Sequence, residues 1–73
     1  MKSTLRRLVY DRGLRQDWLA EKLGIAESTL SKYLSGALAL PMDQVEPFAG
    51  LLQTDAATVA TAAVLTRKLA SGP

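Results

Sequence analysis

The chain has 73 residues, 48% of them apolar, with nine Lys and Arg against seven Asp and Glu, a net charge of +2, and no Cys or His. That length suits one small domain with a radius of gyration of roughly 11 Å, too small for a multi-domain enzyme with a deep cleft. The missing residue types remove disulfides, thiolate nucleophiles, zinc–thiolate sites and imidazole catalysis, so no cofactor, metal or enzymatic activity is expected.

The elements read as short helices in succession, because apolar residues recur at helical spacing and no segment alternates with period two. Leu5, Leu8 and Val9 form the first stripe, with Ser3 or Thr4 as its cap and Gly13 as its stop. Leu19, Ala20 and Leu23 form the second, ended by Gly24. Leu30, Tyr33 and Leu34 form the third, ended by Gly36. The three glycines lie 11 and 12 residues apart, which implies two- to three-turn helices joined by tight connections. Val45, Phe48, Ala49 and Leu52 form a fourth stripe. Asp43 and Glu46 resemble a capping box, but Pro47 disfavours helical geometry at Glu46. A short helix with an irregular start near Pro47, weakened by Gly50, is therefore expected. Thr54 is expected to cap a last helix over 55–70, with Asp55 at its positive end and Arg67 and Lys68 at its negative end. The fold class is all-α: a compact four- to five-helix domain spanning 1–73.

Charge is uneven along the chain. Residues 1–36 carry seven basic side chains (Lys2, Arg6, Arg7, Arg12, Arg15, Lys22, Lys32) against four acidic, a net of +3; residues 37–73 carry two against three. A basic half suits a phosphate-bearing partner, and equally a solvated surface. No apolar run approaches the ~20 residues of a membrane span, and MKSTLRRLVYDRG lacks the apolar core of a signal peptide. A cytoplasmic location without a membrane partner is expected.

The segment 16–35, QDWLAEKLGIAESTLSKYLS, has the layout of a helix-turn-helix. Ala20 stands where two helices cross, and a larger side chain there would push them apart. Gly24 turns the chain, Ile25 tucks back from the turn, and Leu19, Leu23, Leu30 and Tyr33 fill the space between the helices.

With Gln16 opening the second helix, LAEKLGI across the turn, STLSKYLSG as the third helix and FAGLLQTD beyond it, the chain resembles the Cro and phage-repressor family from about Leu5 to Val59. The resemblance implies a third helix in the major groove and a dimer on two half-sites about one helical turn, roughly 34 Å, apart. It matches Glu27, Ser28 and Lys32 to base readers. Lys32 suits guanine O6 or N7, Glu27 suits cytosine N4, and Ser28 discriminates weakly. Thr29 and Ser31 are expected beside them. Gln16 resembles the family's phosphate clamp, with Arg15 and Ser35 as further phosphate contacts. The sequence departs from the family at Glu27, at the apolar loop 37–41 and at Trp18. Trp18 is expected as extra core, the other readings being a seat beneath the loop or a protein contact.

Val64, Leu65 and Leu69 supply apolar surface on the last helix beyond what the core requires. They suggest a homodimer interface, with Leu38 and Leu40 beside it; the other reading is that the helix folds back and buries them. The expected function is a sequence-specific transcriptional regulator of double-stranded DNA, Cro-like or immunity-type, in a bacterial or phage-infected cell. It stands alone or forms the DNA-binding half of a longer repressor. The alternative is a protein-interaction module, antitoxin- or anti-repressor-like, that kept the fold and lost DNA binding.

Overall fold

Five helices follow one another in the computed structural model, which describes residues 3–71: α1 (Leu5–Asp11), α2 (Gln16–Leu23), α3 (Glu27–Ser35), α4 (Met42–Leu52) and α5 (Ala56–Ser71). Lys2, counted above among the basic residues, lies outside the described part. The upper helix count holds, and no strand forms among the described residues.

Local chemistry sets the boundaries. Thr4, rather than Ser3, caps α1: its Oγ1 accepts the Arg7 amide at 3.2 Å. α2 ends on Gly24 at φ 71°, where the Gly24 and Ile25 amides return to the Glu21 and Ala20 carbonyls. That closure aims Ile25 back at the core, as the sequence suggested. α3 ends on Gly36 at φ 86°.

None of these short helices is stable alone. Their apolar faces meet around Phe48, with Leu5, Leu19, Leu30, Leu52 and Val59 fully buried beside it. Each such side chain contributes roughly 1.5–3 kcal/mol on burial. Leu23 and Ile25 pack against this core half-buried, and Ala20 is buried within it. Tyr33 is half-buried, as Leu23 and Ile25 are.

α5 crosses the back of the domain, packed on α4, α1 and α3. Its buried face is Val59, Ala62 and Thr66. The Thr66 hydroxyl donates to the Ala62 carbonyl at 2.7 Å and accepts the buried Leu5 amide at 3.0 Å. One side chain thereby satisfies a helix N-terminal donor that would otherwise be orphaned.

Three expectations are corrected. α4 does not begin at Pro47. It starts at Met42 on a Pro41 cap and runs eleven residues with Pro47 inside it. Burial of Phe48, Ala49 and Leu52 outweighs the hydrogen bond that proline removes. Asp55, not Thr54, caps α5: its Oδ1 accepts the Thr58 amide at 2.7 Å. Trp18 is not extra core. It is 37% exposed on the outer face of α2, with the Lys22 ammonium 5.9 Å from its ring centroid.

Candidate nucleic-acid interface

Helix α3 is anchored from one side and open on the other. Leu30 and Leu34 are buried, at 0% and 4% exposure. Ser28, Lys32 and Ser35, spaced i, i+4 and i+7, share the opposite, exposed face. Glu27, the first residue of the helix, is also exposed. Thr29 and Ser31 flank this face and are half-buried. The helix therefore presents Ser28 and Lys32 outward, with Glu27 at its leading end and Ser35 at its trailing end.

The Ser35 hydroxyl is already engaged. It donates to the Lys32 carbonyl at 3.2 Å and accepts the Ala37 amide at 3.4 Å. Ser35 thus helps to stop α3 and lead the chain into the 37–41 loop. Gln16 is half-buried at the first position of α2. Arg15, the N-cap of α2, makes no side-chain capping bond. Its guanidinium instead pairs with Asp17 at 2.8 Å on a largely exposed surface. The other Asp17 oxygen accepts the Trp18 amide at 2.8 Å. That amide bond, assisted by Arg15, holds the Asp17 carboxyl below its ordinary range. A carboxylate therefore stands at the α2 N-terminus, where the sequence suggested a phosphate contact.

α3 likewise starts on an uncapped residue, Ala26. Its first-turn amides have no side-chain partner, whereas Thr4 and Asp55 close α1 and α5. Free amides at a helix start suit an anion. Within 15–35 the charges balance, Arg15, Lys22 and Lys32 against Asp17, Glu21 and Glu27. The basic excess lies on α1 and its C-cap, where Arg6, Arg7 and Arg12 outnumber Asp11. Arg7 is paired with Asp11 at 3.2 Å. Arg6 lies in a shallow depression with Leu34 and Ser35, near the end of α3.

Sequence reasoning missed the fastening behind α3. Arg67 Nη1 donates to the Gly36 carbonyl at 2.6 Å. A Cβ on Gly36 would sit 2.6 Å from Ala70 Cβ and 2.7 Å from the Thr66 carbonyl oxygen. The end of α3 thus lies directly on α5. Helical spacing held part of the signal, because Thr66 continues the Val59 and Ala62 stripe at i+7 and i+4.

The residues expected at a dimer surface spread around α5: Val64 and Leu65 line one depression and Leu69 another. Val64 borders Ala39 and Leu40 on one edge of α5 and is 58% exposed. Leu69 borders Thr4, Arg6 and Leu34 on the other edge and is 64% exposed. Leu65 is half-buried between them, beside Thr61.

Two crossed helices joined at a left-handed glycine, the second with its polar face open, define the helix-turn-helix class, which points to a DNA-binding regulator. The chain belongs to this class by sequence as well: a helix-turn-helix domain family matches residues 3–62. That match includes α1 to α4 and ends within α5, before Val64, Thr66 and Arg67. No curated protein and no solved structure matches the chain. No single helix among the described residues is long and apolar enough to cross a membrane.

Proposed function

We propose that this domain is a sequence-specific DNA-binding transcriptional regulator that occupies an operator and blocks access to it, as a Cro-like or immunity-type phage or prophage repressor does. The observation that carries the reading is the exposed face of α3, with Ser28 and Lys32 held outward by buried Leu30 and Leu34. In this reading α3 enters the major groove and Lys32 donates to guanine. Ser28 reads its neighbour, and Glu27 accepts from cytosine. Thr29 and Ser31 border the groove walls. Gln16 contacts a phosphate at the start of α2, with Ser35 and, once released from Asp17, Arg15 assisting. The domain binds a palindromic site as a homodimer, in the cytoplasm of a bacterial or phage-infected cell.

A mobility-shift experiment tests it. DNA from a selected random pool should be retarded, and Lys32→Ala together with Gln16→Ala should abolish the shift. The apolar loop 37–41 contributes no charge, so the salt dependence should be shallower than for a domain with a basic loop. A palindromic consensus in the selected pool supports the dimer.

A second reading is favoured by exposed Trp18, the balanced charge of 15–35 and the apolar loop: a protein-interaction module on the same fold. Absence of any shift at low salt selects that reading.

A further inference from the structure

We propose that the groove between α5, the start of α4 and the 37–41 loop is a two-fold interface for a second copy of this chain, with the acidic end of the groove in one copy against the basic end in the other. The proposal rests on the reading that the domain works as a dimer and assigns the surface.

The groove has two parts on one side of α5, brought into line by the i, i+3 and i+4 spacing of Ala60, Ala63 and Val64. Its first part is lined by Met42, Val45 and Pro47 of α4 against Ala56 and Ala60 of α5. Its second is lined by Ala39 and Leu40 of the loop against Ala63 and Val64. Met42 is 91% exposed. Met42 and Val64 are the large apolar side chains that this groove leaves exposed, the kind of surface that marks a contact. Small side chains at Ala60 and Ala63 let a second helix come close.

Charge selects the occupant. Asp43 and Glu46 border the first part, and Arg67 and Lys68 border the second. Among the described residues, Asp43, Glu46 and Lys68 make no ion pair. About eleven residues of α5 separate the two ends, roughly 16 Å along the helix. A two-fold axis through the middle, near Ala60 and Val64, lays one α5 antiparallel to the other. Each acidic end then faces a basic end, and an isologous contact repeats the pairing twice. A parallel arrangement would set like charges together. None of Ser28, Lys32 and Ser35 lines the groove, so the reading face stays free. Leu69, on the far edge of α5, is outside this interface.

Sedimentation of the whole chain over a concentration series tests the proposal, with circular dichroism to verify that each variant is folded. The wild type should dimerise. Val64→Glu and, independently, Met42→Glu should be monomeric, whereas Leu69→Glu should dimerise like the wild type. Glu46→Lys and Lys68→Glu should each weaken the dimer about fivefold or more, and combining them should restore it. A wild type monomeric throughout, a dimer indifferent to both Val64→Glu and Met42→Glu, a dimer lost in Leu69→Glu, or a double variant no tighter than the singles overturns the proposal. Binding to a single half-site separates it from the functional reading. A Val64→Glu monomer that still shifts half-site DNA supports both. A dimer of the expected behaviour that shifts no DNA supports the interface and refutes the regulator.

Discussion

Arg67 donates to the Gly36 carbonyl at 2.6 Å, so the last helix is fastened to the chain where the third helix stops. Gly36 lies close against α5, and a methyl group there would strike the Thr66 carbonyl oxygen and Ala70. Gly24 has a similar positive φ, but a methyl group there would meet nothing within 4 Å. Gly24→Ala should therefore cost only the left-handed strain, roughly 1–2 kcal/mol. Gly36→Ala should add overpacking of roughly 1–3 kcal/mol. Urea unfolding of the two variants checks the order, and equal losses would refute the close docking of α3 on α5.

Thr66→Val keeps the shape of the side chain and removes its hydroxyl. The Leu5 amide is then buried without an acceptor, which costs about 1–3 kcal/mol. Thr66→Ser should recover most of that loss in thermal or urea unfolding.

Two residues in α4 lower its stability without serving the core. Gly50 is exposed, and a Cβ there meets nothing within 4 Å. Gly50→Ala should stabilise the domain by roughly 0.5–1 kcal/mol. Pro47→Ala restores a missing amide donor and should add about 1 kcal/mol or more. Higher urea midpoints for both variants are the expected result.

The Thr58 hydroxyl and amide hold the Asp55 carboxyl below its ordinary value of 3.8. A carboxylate with a depressed value stabilises the fold above its unfolded value and loses that contribution as pH falls through the folded one. Asp55→Asn should thus lower the melting temperature at neutral pH. The gap from the wild type should narrow below about pH 3.8 and close in stronger acid. A gap independent of pH would assign the cap's effect to hydrogen bonding alone.

Asp17 opposes the proposed DNA contact. It occupies Arg15 and places a negative charge at the start of α2. Asp17→Asn should release Arg15 to a phosphate, tighten DNA binding and steepen the log–log salt slope by about 0.9. Weaker binding in a titration at several salt concentrations would show that Asp17 orients the contact instead.

Much of the fold was legible because glycines and apolar spacing speak for neighbouring residues. Gly13, Gly24 and Gly36 punctuated the first three helices, and Leu19, Ala20 and Ile25 named the packing of the turn. The start of α4 was not legible, because the local penalty of Pro47 is outweighed by burial of Phe48, which only the assembled domain supplies. Nor was the Arg67 bond to Gly36, which joins residues 31 apart. At the candidate site, the outward placement of Ser28 and Lys32 follows from helical period. The pairing of Arg15 with Asp17 and the separation of Val64 from Leu69 depend on rotamers and neighbouring helices, which a linear reading does not fix.

The bond between Leu5 and Thr66 spans almost the whole described chain. During translation every residue of the helix-turn-helix is polymerised before residue 66. Until then the Leu5 amide has no partner and the inner side of α1 and α3 lacks its cover. Nascent chains should therefore acquire protease resistance only after α5 has emerged, and a stalled chain carrying every proposed base-reading residue should still lack a rigid α3.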